Sequence, residues 1–454
     1  MSLQRVLIAN RGEVAVRVVR ACRELGIESV AVYSTADAES GHVALADRAV
    51  CIGPPPATQS YLDIPALIAA GVTTGCDAVH PGWGFLAENS AFARACEDNE
   101  LIFIGPRPET IDLMGNKVSA RVAMSDADVS GVPGSPGPVT LGEARERARE
   151  VGYPVLLKAA AGGGGKGMRL VAGEDELEKA FELAGAEAVA AFGDGSMYLE
   201  KALTDARHIE IQVVCDGEGG VLALGERECS VQRRHQKLLE EAPSVAVSPQ
   251  MRQAMRETAE RACRAIGYRG AGTLEFLVSG GAFYFIEMNT RLQVEHPITE
   301  LVSGVDLVHA QIGVAAGESL GSLGLETSTE RGHAIEIRIN AEDPSNGFMP
   351  APGTLTRFAP PLGPGVRVDT HVFEGYQVPP YYDSLLAKVI VWAEDRPRAI
   401  ERALRALEEL VIEGVASTRE LGIDVLEHQE FRAGEYTTTF LERVQNELPS
   451  LASA

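Results

Sequence analysis

The amino-acid sequence predicts a multidomain α/β protein, and three features carry that prediction. The chain has 454 residues, 45% of them apolar and only 6% aromatic, which suits roughly three domains with ample cores. Its first hundred or so residues alternate short β-like apolar runs with an amphipathic helical stripe. Further short apolar runs follow, set off by stretches rich in glycine and proline.

Taken in order, residues 5–9 read as a strand. Asn10 and Glu13 then have capping-box spacing ahead of Val14, Val18, Cys22 and Leu25, an apolar stripe at helical intervals. Strands over 28–33 and 101–104 complete an open α/β layer, and the absence of G-x-G-x-x-G after the first strand argues against a dinucleotide site. The glycine-broken turn over 80–86, with Trp83 between Gly82 and Gly84, suits a binding loop. Residues 131–138, dense in Gly, Pro and Ser, predict a hinge. A second unit follows, with strands over 154–159, 168–171 and 197–201 and a helix over 174–192; further strands span 207–215, 221–224, 273–278 and 283–289. A final section begins near Gly332, is rich in Pro and Gly to about residue 380, and ends in a helical region over 396–413.

Charge narrows the function. Against 41 Lys+Arg stand 64 Asp+Glu, a net charge of −23, so the long-range field repels nucleic acid and acidic membrane faces. No apolar run approaches the eighteen or so residues of a membrane span, and the first ten residues do not form a signal peptide. The expected location is the cytoplasm. The seven cysteines are scattered without a close pair, which predicts reduced and mostly buried thiols; Cys229, in Glu-Arg-Glu-Cys-Ser, is also read as structural rather than reactive.

Several constellations carry chemistry. The stretch from Lys158 through Gly162, Gly163, Gly164, Gly165 and Lys166 frees successive backbone N–H groups to approach anionic oxygens, a phosphate cradle joining two strands and lacking the Ser/Thr of a Walker A loop. In the hairpin over 273–289, a three-residue turn at 280–282 pairs Leu274 with Met288, Phe276 with Ile286 and Val278 with Tyr284. That register sets Glu275 opposite Glu287, with Asn289 on the same face, and a divalent cation resolves the repulsion. Read as extended chain, Arg291, Gln293 and Glu295 then point one way: an arginine fork for a small planar oxyanion beside a carboxylate able to take its proton. Gln232 to Lys237 is a basic island in an acidic protein, read as an internal anion site. His208, Glu210 and Gln212 share one strand face; Glu200 and Lys201 end the preceding strand, where backbone groups suit an adenine edge; Arg338 faces a cleft from a strand with Ala334, Glu336 and Asn340.

These residues resemble one known family, the biotin carboxylases of the ATP-grasp superfamily. The matching stretches include IANRGEVAVRVVRAC, HPGWGFLAEN, MGNKVSAR, KAAAGGGGKGM, RHIEIQV, ERECSVQRRHQK, FIEMNTRLQVEHPITE, INAEDP and VPPYYDS, in family order over residues 8–384. The resemblance implies an ATP-grasp fold with an N-terminal preATP-grasp domain over 1–114, an ATP-grasp domain over 115–330 whose mobile lid spans 131–203, and a C-terminal biotin carboxylase domain over 331–454. It implies that the chain uses ATP, Mg²⁺ or Mn²⁺ and bicarbonate to carboxylate carrier-linked biotin through carboxyphosphate, the first half-reaction of acetyl-CoA carboxylase or a related enzyme. By the same resemblance Lys117, Lys158, Gly164, Gly165, Lys166, Glu200, Lys201, Leu203, His208, Gln232 and His235 line the nucleotide, and Glu275, Glu287 and Asn289 hold metal. Lys237, Arg291, Gln293, Val294 and Glu295 surround bicarbonate with Glu295 as base; Arg338 stabilises the biotin enolate, and Trp83 and Gly84 lie near the ureido ring. Trp83 departs from the tyrosine expected in that turn. The sequence has no Met-Lys-Met biotinylation site, so a biotin carboxyl carrier protein and a carboxyltransferase are the expected partners, together with a second copy in a homodimer.

Overall fold

The computed structural model describes residues 3–160 and 168–452. The apolar runs near the N-terminus form a five-stranded parallel sheet in the order Arg48–Gly53, Glu28–Ser34, Arg5–Ile8, Ala78–His80, Ile102–Phe103. Helices cover such a sheet on both faces, which is why its inner strands read as continuous apolar runs. Helix Gly12–Glu24 buries Val14, Val18 and Cys22 as the stripe predicts, whereas Leu25 is the C-cap residue and is exposed. Its expected capping box does not form: Arg11 is the N-cap and makes no side-chain cap. Asn10 Nδ2 donates instead to the carbonyls of Pro81 (2.7 Å) and Trp83 (2.8 Å), while Glu13 accepts from Trp83 Nε1 (3.1 Å). The turn over 80–84 lies against the helix start, and these tertiary partners outcompete the local cap.

The second unit is a three-stranded antiparallel sheet, Met168–Val171, Val155–Ala159, Met197–Lys201, packed on helices Leu141–Val151 and Glu174–Phe192. Thr140 and Glu143 supply a complete capping box for the first of these helices. The glycine loop with Gly164, Gly165 and Lys166 lies outside the described residues. The expected hinge is hydrogen-bonded along strand Met197–Lys201, with Ser135 N donating to Leu199 O and Lys201 N to Pro133 O, both at 2.7 Å. Gly134 is required there, because a Cβ would fall 2.2 Å from Leu199 O.

An eight-stranded sheet forms the body, in the order Ala282–Asn289, Gly270–Ser279, Arg207–Cys215, Val221–Arg233, Gln236–Ala242, His333–Asn340, Leu385–Ala393, Val366–Thr370. It runs without a break from the residues of the hairpin to those beyond 330. Strand Val221–Arg233 is far longer than the four residues expected, because partners on both sides carry its charged half. The helical region at the C-terminal end stops sooner than expected: helix Arg396–Glu409 is followed by strand Val411–Glu413, which pairs with Arg357–Ala359. All seven cysteines are free, and Cys229 is buried with its thiol pushed well up by burial, which makes it structural.

Candidate functional site

The hairpin brings the two expected carboxylates together by a different route. Its turn has two residues, Gly280 and Gly281, both at positive φ, so Ser279 opposes Ala282, Val278 opposes Phe283 and Phe276 opposes Phe285. A bulge between Phe276 and Glu275 adds one residue, and Glu275 meets Glu287 as the longer turn required. The Phe276–Ile286 and Val278–Tyr284 pairings are therefore corrected, while Leu274–Met288 and Glu275–Glu287 stand. Glu287 opens to solvent; enclosure by the cleft, then the charge of Glu275, raises its carboxyl.

A second turn supplies the central cation. Strands Val221–Arg233 and Gln236–Ala242 are joined through Arg234 and His235, both at positive φ, a two-residue hairpin loop built without glycine. The basic island is thereby split. Arg233 stacks 3.9 Å over the Phe348 ring, Arg234 and His235 are exposed, and Gln232 and Lys237 pair at the base of the turn. Lys237 spends its three donors on three carboxylates: Glu210, Glu275 at 3.0 Å and Glu295 at 2.8 Å. Burial resists ionisation of all three, but the Lys237 charge wins, bringing Glu210 to about 2 and holding Glu275 and Glu295 low.

His208 Nε2 lies 3.0 Å from Glu275, and despite burial the carboxylates raise its imidazole to about 10. Beneath them Arg227, fully buried, donates to Glu210 (2.9 Å), Gln212 (2.7 Å), Thr273 (3.0 Å) and Thr299 (3.1 Å). Sequence reasoning missed this residue, although an arginine flanked by two glutamates within a strand was a signal.

Arg291, Gln293 and Glu295 do not continue a strand. The strand ends at Asn289 and the chain turns, so that Glu295 becomes the N-cap residue of helix His296–Ser303. The three side chains converge even so: Arg291 Nη1 donates to Gln293 Oε1 (3.1 Å) and Nη2 to Asn289 Oδ1 (3.2 Å). Gln293 Nε2 reaches Glu275 at 3.3 Å, and Asn289 Nδ2 donates to Glu275 at 2.8 Å. Arg291 also pairs with Glu88 at 2.8 Å, a partner that spacing alone did not indicate. Arg338 Nη2 holds the second oxygen of Glu295 at 3.0 Å, and its Nε donates to Glu240 at 2.7 Å. The result is a polar floor in which cationic donors bracket one fully buried carboxylate, an arrangement able to hold a small oxyanion and take a proton from it.

At the edge of this floor Glu200 binds Lys158 and Arg121, and Lys117 opens helix Lys117–Asp126 with its ammonium lowered by burial. The Lys201 ammonium instead turns to the carbonyls of Gly152 (3.0 Å) and Tyr153 (2.9 Å), and Leu203 is half-buried in the following loop. Trp83 and Gly84 lie on a separate loop, joined to the floor through Glu13 and Lys388.

Known proteins with this architecture carry informative names. Residues 2–111 match the family model for the biotin carboxylase N-terminal domain, 116–323 that for the carbamoyl-phosphate synthase L chain ATP-binding domain, and 336–443 that for the biotin carboxylase C-terminal domain. The chain is 55% identical over 443 residues to a biotin carboxylase of Pseudomonas aeruginosa, covering 97% of this chain and 98% of that one. It superposes on the biotin carboxylase–β,γ-ATP complex from Campylobacter jejuni with a TM-score of 0.93 at 47% identity, over 97% of this chain and 99% of that one. It also superposes on the biotin carboxylase domain dimer of Hydrogenobacter thermophilus 2-oxoglutarate carboxylase, crystallised with MgADP, ADP and bicarbonate, with a TM-score of 0.92 at 46% identity over all of both chains.

Proposed function

The chain belongs to the biotin carboxylase family of ATP-dependent ligases, and on that premise we propose how its own residues carboxylate biotin with bicarbonate and ATP. The observation that carries the proposal is Glu295, fully buried, with Lys237 on one oxygen at 2.8 Å and Arg338 on the other at 3.0 Å. Arg291, Gln293, Val294 and Lys237 hold bicarbonate beside it. Glu295, kept ionised by Lys237 against burial, accepts the bicarbonate proton. The freed oxygen attacks the γ-phosphorus, the bond to the ADP oxygen breaks, and carboxyphosphate forms. This splits into CO₂ and phosphate; phosphate takes the N1′ proton of biotin, Arg338 stabilises the enolate, and N1′ attacks CO₂.

Lys117, Lys158, Gly164, Gly165, Lys166, Glu200, Lys201, Leu203, His208, Gln232 and His235 are assigned to the nucleotide. The unit over 131–203 acts as the lid that excludes water from the labile intermediate. Glu275, Glu287 and Asn289 fit Mg²⁺, since all offer oxygen and Glu275 stands directly opposite Glu287, where burial first and the charge of Glu275 second raise the Glu287 carboxyl and a divalent cation would relieve the repulsion. Bound there, the ion would neutralise charge on the ATP phosphates. The Trp83–Gly84 loop receives the ureido ring.

Among the described residues no helix is long and apolar enough to cross a membrane. A biotin carboxyl carrier protein, a carboxyltransferase subunit and a second copy of the chain are the partners this reading assigns, and the cytoplasm is its compartment. ADP release measured with Mg-ATP and bicarbonate, with and without biotin, tests the function. Strong stimulation by free biotin or a biotinylated carrier is expected, and indifference to both overturns it. Glu295→Ala should cut bicarbonate-dependent turnover by about a hundredfold or more with nucleotide affinity little changed; loss of ATP binding contradicts the role of Glu295 as base.

A further inference from the structure

Behind the reacting groups lies a lysine that neither composition nor spacing singles out. Lys388 stands in the middle of the otherwise apolar strand Leu385–Ala393 and is fully buried. A buried ammonium is retained where its donors are used. Here Nζ donates to the Val294 carbonyl at 2.7 Å and lies 3.3 Å from Glu13 Oε2. Asp369, 3.8 Å away, is itself held by both arms of Arg367. The other oxygen of Glu13 accepts the Trp83 indole N–H at 3.1 Å. His296 Nδ1 lies 2.8 Å from the Gln293 carbonyl, so the turn that carries Gln293, Val294 and Glu295 is gripped from beneath at two successive carbonyls.

One ammonium therefore links chain segments around residues 13, 83, 294 and 388, and it joins the two loops that present the substrates. We propose that Lys388 is a positioning residue which, through the Val294 carbonyl on one side and Glu13 and Trp83 on the other, holds the oxyanion turn and the Trp83 loop in one fixed relation. The proposal rests on the assignment of the ureido ring to the Trp83 loop. Its chemical consequence is alignment: CO₂ is released beside the turn and must be met by the ring nitrogen, so a small displacement of either loop separates the reacting atoms.

Steady-state kinetics on the full chain, with bicarbonate and free biotin varied separately, test it. Lys388→Met should raise the KM for both substrates and lower kcat about ten- to a hundredfold. Trp83→Phe keeps an aromatic ring and deletes the N–H; it should raise the biotin KM in the parent and have much less effect in the Lys388→Met background. A raised biotin KM with full additivity overturns the coupling alone. An unchanged biotin KM in Trp83→Phe overturns the premise, and the proposal with it. Glu13→Gln preserves volume and keeps the experiment decisive where Lys388→Met does not fold: it should raise the biotin KM several-fold and the bicarbonate KM less, and an unchanged biotin KM overturns the proposal.

Discussion

The two faces of one central strand, Gln236–Ala242, treat buried glutamate in opposite ways. Glu240 and Glu241 are consecutive on it and both are fully buried. Glu241 faces helix Arg396–Glu409, where His333 Nε2 and Arg396 Nε approach to 2.7 Å and the Tyr436 hydroxyl donates as well. Burial resists its charge, but these partners prevail and bring the carboxyl to about 2. Glu240 faces the site, where its hydrogen bonds come from Arg338 and one oxygen has no hydrogen-bond partner among the described residues. Glu336 stands directly opposite it on the next strand, and neither of its oxygens is hydrogen-bonded among the described residues. Burial drives Glu240 up to about 7, against the pull of Arg338, and drives Glu336 well above the usual carboxylate range. Glu241 on the far face is fully partnered and stabilises the fold. Glu240 and Glu336 on the site face are left short of donors, because Lys237, Arg338 and Lys388 are shared with Glu295, the Val294 carbonyl and, in the proposed reaction, the substrates.

This contrast can be broken by substitution. Lys237→Met removes the ammonium shared by three carboxylates and should lower kcat about a thousandfold in the ADP-release assay. Arg396→Met on the far face should act on stability instead, costing about 3 kcal/mol or more in urea unfolding by stranding a buried charge, with kcat of the folded protein close to the parent's. A loss of stability without loss of kcat in Lys237→Met, or the reverse in Arg396→Met, removes the distinction.

The smallest expected effect sharpens it. With a native pKa of about 7 against an ordinary 4.5, Glu240 keeps its proton in the folded chain over a range where the unfolded chain has released it. Its contribution to stability is therefore lost as pH rises through that window. Glu241 behaves oppositely: its contribution is present above 4.5 and is lost as pH falls toward about 2. Glu240→Gln should flatten the decline between pH 4.5 and 7, leaving the variant more stable than the parent by about 1 kcal/mol near pH 8. Urea midpoints across that range check it, and an unchanged slope contradicts the assignment.

Period and spacing made much of the site legible before any coordinates. The alternation around Glu275 and Glu287 placed two carboxylates on one face, and the structure keeps that pairing although the turn is shorter and a bulge makes up the difference. Arg291, Gln293 and Glu295 were grouped correctly on the wrong backbone, since a turn and a helix start can aim three side chains together as well as a strand does. The open α/β layer at the N-terminus followed from its apolar runs, although strands Arg48–Gly53 and Ala78–His80 went unread, whereas the capping box did not survive, because Asn10 and Glu13 find partners from the loop at 80–84.

By itself the sequence determined a part of the strands and helices, that acidic and basic side chains gather at one site, and which family the chain resembles. Those properties are written in local periodicity and in motif strings. Only the tertiary structure decided that Arg227, Glu240, Glu336 and Lys388 belong to the same charge system as Glu295. Their partners lie tens to hundreds of residues away in the chain, and a lone charge in an apolar strand reveals neither the partner that satisfies it nor the face it occupies.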